Sequence, residues 1–287
     1  RKCNLKLNLE KCHFGAKEVD YLGFRLTDKG IYPGPDKLKT VKEFKPPQNV
    51  KQIRQFIGLC NFFRAHIRNF SMISAPLTQL TTKESGYKEG PLPKNALSAF
   101  IQLKSALVSN PVVDFPRQDR KFSLISDAST GDSQGIPGGI GGILCQTDEK
   151  NRFRVIAYAS RSLQKHEKNY SPYLLELAAC VWNVQHFEHY LRGRHFTLYT
   201  DHKPLEKLGH LHTKTLNRLQ LLMNEFSFEI KYKKGSEIPS DYLSRYPLPE
   251  VNAVDLINDK LPELQQQDPF FGALIRFLTY GEVPNDR

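Results

Sequence analysis

The sequence predicts an α/β fold: a mixed five-stranded sheet flanked by helices and preceded by a small α+β segment. Three observations point there. The stretches "KFSLISDAS", "GGILCQ" and "FRVIAYASR" read as strands that follow one another with no helix between them, as in a meander. Two later strand-like stretches, "HFTLYT" and "FSFEIKYKKG", each follow a helical stretch, so they join the sheet through helical connections. Ahead of residue 117 the texture differs, with short alternations followed by helical periods cut by Pro and Gly.

Each element has a local reason. "VDYLGFRLTDKGIY" alternates around a turn at Asp28-Lys29-Gly30, so residues 1 to about 35 read as two or three short strands. "PGPD" ends the alternation. Asp36 can then cap a short helix with Leu38, Val41 and Phe44 on one face, and Pro46-Pro47 stops it. In "NVKQIRQFIGLCNFFRAHIRNF", Ile53, Phe56, Ile57, Cys60, Phe63 and Ile67 recur at helical spacing, with Asn49 and Gln52 as a capping box. Residues 81–94 are polar and rich in Gly, Pro and Lys, a linker composition. "ALSAFIQLKSALVSNPVV" is an amphipathic helix ending at Asn110-Pro111.

After the three strands, a long helix is expected from about Pro172 to Leu191, with Leu174, Leu177, Ala178 and Val181 apolar. In the next strand Phe196 and Leu198 share one face, and Thr197, Tyr199 and Asp201 the other. A helix near 214–225, the last strand and a short helix from about Ser240 follow. In the final forty residues, Asp268-Pro269 is a good helix start and Gly281 a fitting stop.

The 287 residues suffice for about two domains, and 39% hydrophobic with 25% charged residues suits a globular protein. No run of 18 apolar residues exists, so no membrane span is expected, and no signal-peptide pattern is read either. Arg1 opens inside a strand-like stretch, which suggests a piece of a longer polyprotein. The net charge of +11 favours a polyanionic partner, nucleic acid first; a merely basic protein is the alternative. Five cysteines, an odd number without a CxxC pair, argue against a disulfide framework or a cysteine zinc site and for a reducing compartment. "HLH" at His210 to His212 has no further ligands at zinc spacing and reads as a polar loop.

Four acids fall at telling places. Asp127 is expected at the end of the first strand of the sheet, Glu176 in the long helix, Asp201 at the end of the fourth strand and Asp241 at the start of the last helix. Alone, Asp201 before His-Lys-Pro is a turn aspartate. Two strand ends and two helix positions can converge, however. Converging carboxylates repel one another and resist desolvation. Hard divalent cations relieve both effects, and Mg²⁺ prefers carboxylate oxygen and water. Two such ions about 3.5–4 Å apart stabilise both the attacking and the leaving oxygen of a phosphodiester.

"FSLISDAS", "YSPYLLELAA", "LYTDHKPL" and "KKGSEIPSDYLSR" resemble, in order, the four motifs of the RNase H domain of reverse transcriptases. They are most similar to those of gypsy-type LTR retrotransposons and their retroviral relatives, and "VIAYASRSL" fits as well. Upstream, "KCHFGAKEVDYLGFRLTDKGI" resembles the last palm strands of these polymerases, and "IRQFIGLCNFFRAHIRNFS" with "APLTQL" their thumb. "AFIQLKSALVSNPVV" is similar to the segment leading into RNase H, and the tail more weakly resembles the helical lead-in to an integrase.

The resemblance implies an RNase H-like sheet and four segments: 1–35 as palm strands, 36–117 as thumb and connection, 118–247 as RNase H and 248–287 as a tail towards an integrase. It implies Asp127, Glu176, Asp201 and Asp241 as catalytic metal ligands for two Mg²⁺ ions, with Mn²⁺ as a substitute. The reaction implied is hydrolysis of the RNA strand of an RNA–DNA hybrid to a 3′-hydroxyl and a 5′-phosphate. The rest of a Pol polyprotein is implied as partner, with the polymerase upstream and the integrase downstream. An intracellular site is implied too, cytoplasmic in virus-like particles, with the nucleus as the alternative.

Three departures stand out. The family's Tyr-x-Asp-Asp would lie upstream of Arg1, and the chain contains no Asp-Asp pair, so DNA synthesis is expected of a parent polyprotein and not of this chain. "TGDSQGIPGGIGG", spanning residues 130–142, is longer and richer in Gly than the usual turn; it reads as a floppy hairpin tip, with a flap over the hybrid as the alternative. The integrase zinc pattern of two His and two Cys is absent.

Two other readings compete. Integrases use an Asp-Asp-Glu set, often with 35 residues between the last two acids, and 35 residues (202–236) separate Asp201 from Glu237. Glu237 nevertheless sits in a turn-like "KKGSEIP", and Glu176 and Asp241 are then left without roles. A domesticated module that binds hybrids without cutting them is the second. Nucleic-acid contacts are expected from Arg54, Arg64, Arg68, Arg161, Lys165 and Lys168, against solvated basic faces. His202 is a candidate for proton transfer or product release, or a turn histidine; Tyr170 and Trp182 read as packing residues.

Overall fold

The computed structural model describes residues 8, 12–109, 111–131, 137–207 and 214–233. The chain divides into two units, residues 1–19 with 247–287, and residues 20–246; of the first, residues 8 and 12–19 are described. Strands β1 (Glu18–Tyr21), β2 (Phe24–Thr27) and β3 (Gly30–Pro33) form a small sheet in that order. Thr27 Oγ1 accepts the Lys29 N–H at 3.0 Å and closes the expected turn. Helix α1 (Pro35–Glu43) begins one residue before the expected cap: Gly34 caps it, and Asp36 lies inside the first turn. Pro35 at the first helical position is the cause, since its ring already holds a helical φ.

Helix α2 (Val50–Phe62) starts as read, with the Gln52 N–H donating to Asn49 Oδ1 at 2.9 Å. The return arm lands one residue earlier than in a capping box: Gln52 Oε1 accepts from the Gln48 N–H at 2.7 Å. The helix does not continue to Ile67. A 3₁₀ turn, Arg64–His66, follows, and Asn69 adopts a left-handed φ of 53° before α3 (Phe70–Leu80). The apolar period runs through this break because both halves face one core. Ile53, Phe56, Cys60, Phe63, Ile67 and Leu77 are buried there against Phe100, Leu103 and Leu107 of α4 (Lys94–Val108).

The main sheet has the order β6-β5-β4-β7-β8, from β4 (Phe122–Gly131), β5 (Pro137–Thr147), β6 (Phe153–Ser162), β7 (His195–Thr200) and β8 (Ser227–Tyr232). β4, β5 and β6 are antiparallel neighbours; β7 runs parallel to β4, and β8 parallel to β7. Helices α5 (Pro172–His186), α6 (Glu188–Leu191) and α7 (Lys214–Met223) complete the α-helices among the described residues, the expected long helix being interrupted at Phe187. Phe122, Leu124 and Leu144 of the sheet pack with Leu177, Val181 and Val184 of α5 and with Phe196 and Leu198 of β7. Burying each such side chain contributes roughly 1.5–3 kcal/mol, so this face holds α5 to the sheet.

The glycine-rich stretch reaches further into strand than expected: β4 and β5 are the antiparallel arms of a hairpin, and any tip lies in residues outside the described set. Gly138, Gly139, Gly141 and Gly142 belong to β5, while residues 132–136 lie outside the described set. A Cβ at Gly139 would stand 2.5 Å from Met72 Sδ, and one at Gly141 2.7 Å from Asn69 Oδ1. One at Gly142 would overlap the Asn183 side-chain amide. Glycine is needed here for close approach of neighbours on both faces.

The segment before residue 117 packs on this sheet. Arg64 and the Ser71 hydroxyl both donate to the Ser160 carbonyl at 2.7 Å, and the Asp114 N–H donates to the Val155 carbonyl of β6 at 2.6 Å. Among the described residues no helix is long and apolar enough to cross a membrane, and Cys12, Cys60, Cys145 and Cys180 are free.

Candidate metal centre

Asp127 is the sixth residue of β4 and not its last, contrary to the expected strand end. Its position is nevertheless special. β4 pairs with β7 over Phe122–Ile125, opposite Phe196–Tyr199, while its pairing with β5 continues to Gly131. Asp127 therefore stands just past the point where the two parallel strands part. Asp201 follows the last residue of β7, Thr200, which is fully buried. The two carboxylates lie just beyond the carboxyl end of the parallel β4–β7 pairing, where open α/β sheets form their crevices. Glu176 comes from α5, whose N-cap Ser171 accepts the Leu174 N–H at 3.4 Å.

Ligand oxygens of Asp127, Glu176 and Asp201 all lie within 4.8 Å of one another. Asp127 is half-buried, Asp201 exposed and Glu176 8% exposed. Burial raises the Asp127 acid, and the charge of Asp201 adds to this; Arg68 and the Ala128 N–H oppose it. Glu176 is pushed up to about 8, first by burial, then by Asp201 and Asp127. Its Oε2 is buried without a hydrogen-bond partner.

These residues fit a hard divalent cation. An unpaired buried carboxylate oxygen beside two other carboxylates is costly until a cation joins them. The donor set is all oxygen, without the imidazole or thiolate that softer metals favour. Arg68, Asn69, Ile125, Asp127, Gly141, Gly142, Ile143 and Asp201 line a cleft of about 60 Å³ beside the carboxylates. That volume suits ions and water and is below the roughly 300 Å³ at which organic cofactor pockets begin.

Asn183, which the sequence reading did not single out, braces the centre. It lies seven residues after Glu176, on the same face of α5, and is fully buried. Its amide donates to Ser126 Oγ and to the Gly141 carbonyl, both at 2.9 Å. Ser126 adjoins Asp127, and Gly141 is directly opposite Asp127 in the β4–β5 register. The available signal was a lone amide in the apolar run "LELAACVWNV".

The basic residues do not form one surface. Arg54 donates to the Thr81 carbonyl at 3.0 Å, and Arg64 is tied to Ser160. Arg161 forms a two-armed ion pair with buried Glu167, each arm 2.6 Å, and its guanidinium lies 5.3 Å from the Trp182 ring. Lys165 and Lys168 are exposed near the start of α5. Arg68 alone of these six lines the carboxylate cleft. Tyr170 and Trp182 pack as read, against the cluster of Ile140, Leu163 and Leu175. His202 packs its ring against Tyr173, 5.6 Å away, and is not in the carboxylate group. Asp241, Glu237 and "HLH" lie outside the described residues.

A sheet of this order with carboxylates at its parting strands defines a class of protein, and comparison agrees: residues 117–226 match the RNase H-like domain found in reverse transcriptase, a hydrolase domain. Over this stretch the chain carries that RNase H-like domain, and as a whole it is similar to a segment of retrotransposon Pol polyproteins that includes it. It is 36% identical over 278 residues to the retrovirus-related Pol polyprotein from transposon opus of Drosophila melanogaster, covering 93% of this chain and 27% of that protein. It is 35% identical to the corresponding polyprotein of transposon 412 of the same organism, covering 88% of this chain and 20% of that one. The Tf2-3 polyprotein of Schizosaccharomyces pombe is 30% identical, with 90% and 20% covered. The chain thus spans about a quarter or less of these curated relatives. The foamy viral protease–reverse transcriptase in complex with an RNA/DNA hybrid shares the fold, with a TM-score of 0.61, 18% identity, and 82% of this chain and 31% of that chain covered. A foamy viral form in complex with double-stranded DNA has the same TM-score at 20% identity, covering 76% of this chain and 38% of the other.

Proposed function

We propose that the chain is an endonuclease that hydrolyses the RNA strand of RNA–DNA hybrids, and that its parent polyprotein makes DNA on an RNA template. The observation that carries this reading is the meeting of Asp127, Glu176 and Asp201, from two strands and a helix, within 4.8 Å. The similar foamy viral enzyme in complex with an RNA/DNA hybrid supports the substrate class. Asp127, Glu176 and Asp201 would hold two Mg²⁺ ions, with Asp241 as the fourth ligand. When bound, such a pair supplies a nucleophile at neutral pH and steadies charge on both exchanging oxygens of a phosphodiester.

The protein's own residues do the rest. β4 and β7 fix Asp127 and Asp201, and Asn183 fixes α5 against both sides of Asp127. Glu176, with its acid raised to about 8, is mostly protonated at neutral pH until a cation offsets the neighbouring charges. The products are a 3′-hydroxyl and a 5′-phosphate, and the 2′-hydroxyl lets the site tell RNA from DNA.

The integrase-type pairing of Asp201 with Glu237 makes no use of Glu176, although Glu176 lies in the carboxylate group. Cleavage of an end-labelled hybrid separates the two. Asp241→Asn is expected to lower the rate by at least about a hundredfold and Glu237→Gln by no more than about twofold. The reverse order would overturn the assignment, and a hybrid bound but uncut by the parent chain would leave a binding module.

A further inference from the structure

The carboxylate cleft has a wall from outside the matched domain. Arg68 and Asn69 line it together with Asp127 and Asp201, yet the RNase H match begins at residue 117. This corner is firmly mounted. The Asn69 carbonyl accepts the N–H groups of Met72 and Ile73 at 3.0 and 3.1 Å, while Ile67 and Phe70 are buried on either side. His66 Nε2 lies 3.2 Å from the Ile31 carbonyl, and the Ser71 N–H donates to Ser160 Oγ at 2.9 Å.

Gly141 admits the corner to the site. It is the register partner of Asp127, and a Cβ there would stand 2.7 Å from Asn69 Oδ1. Directly opposed residues in an antiparallel pair share a face, so the corner stands on the Asp127 side of the sheet.

Arg68 differs from the other arginines considered. Arg54, Arg64 and Arg161 are engaged by carbonyls or a carboxylate, whereas no described residue accepts a hydrogen bond from the half-buried Arg68. Its charge still reaches the site, where it opposes the rise of the Asp127 acid. A guanidinium held beside carboxylates without a fixed ion pair keeps its planar fork of donors for an incoming anion. A phosphodiester strand approaching three carboxylates needs such a cation on the cleft wall.

We propose that Arg68 contacts substrate at this site: its guanidinium takes a phosphate of the strand lying over Asp127 and Asp201, so the nuclease site is built from two separate parts of the chain. The identity of that strand rests on the function proposed above.

The test uses the whole chain as parent, Arg68→Gln and Arg68→Lys. Cleavage is measured on a labelled RNA–DNA hybrid with Mg²⁺, and hybrid binding in an Asp127→Asn background across a salt series. Arg68→Gln is expected to raise KM about tenfold or more and to lower the slope of log affinity against log salt by about one. Arg68→Lys, which keeps the charge and guards against loss of the fold, is expected to restore the slope and part of the KM. An unchanged slope and KM in Arg68→Gln would overturn the proposal, leaving Arg68 as a local offset to the carboxylates. Failure of Arg68→Lys to restore the slope would overturn it too. A parent that binds without cutting defeats the hydrolytic reading alone, since a lowered slope would still uphold the phosphate contact.

Discussion

Asp127→Asn is expected to lower Mg²⁺-dependent cleavage of the RNA strand by on the order of a thousandfold, with the fold retained. The amide keeps the size of the carboxylate and the position in β4, but it removes one charge of the carboxylate group that would bind a cation. Fold is not at risk because the β4–β5 pairing on both sides of Asp127 is backbone bonding, and Asn183 grips Ser126 and Gly141 and not Asp127. Single-turnover cleavage of a labelled hybrid measures the effect. A variant within a few-fold of the parent would remove Asp127 from the chemistry.

Glu176→Gln is expected to abolish cleavage to a similar degree and yet to stabilise the metal-free protein at alkaline pH. Burial, then Asp201 and Asp127, push the Glu176 acid from an ordinary 4.5 up to about 8. Between those values the folded protein keeps a proton that the unfolded chain releases, so stability falls as pH rises. The contribution of Glu176 is full below about pH 4.5 and is lost by about pH 8. The melting temperature of the metal-free parent should therefore fall across that window, and Glu176→Gln should flatten the fall. Asp127, also raised, leaves a residual slope of the same sign. Mg²⁺ competes with the proton, so it should raise the parent's melting temperature more at about pH 8 than at about pH 6 and that of the variant little. Thermal melts with and without Mg²⁺ decide this, and equal pH sensitivity in parent and variant would contradict it.

The sheet and its helices were legible because alternation and helical period are local signals. Phe196 and Leu198 alternate inward as read, and the meander, the helix-linked strands, Glu176 in its helix and Asp201 after β7 follow from element order, whereas Asp127 lies inside β4 and not at its end. What was missed depends on contacts between distant segments. The glycines of β5 looked like a turn because glycine usually marks one; here they make room for Met72, Asn69 and Asn183. The break between α2 and α3 was hidden because the apolar period runs through it into one core. Asp36 lost the cap to Gly34 because Pro35 fixes the first turn. Asn183 left only the faint signal of a lone amide in an apolar run, and the place of Arg68 in the cleft left none, since each matters through what β5 brings near it.

Crystals of the whole chain grown with Mn²⁺ and measured at the manganese absorption edge test the centre most directly. The proposed two-metal centre predicts two anomalous peaks about 4 Å apart, with oxygens of Asp127, Glu176 and Asp201 on the order of 2 Å from the metal. Manganese bound elsewhere, or an empty space among these three carboxylates, would contradict it.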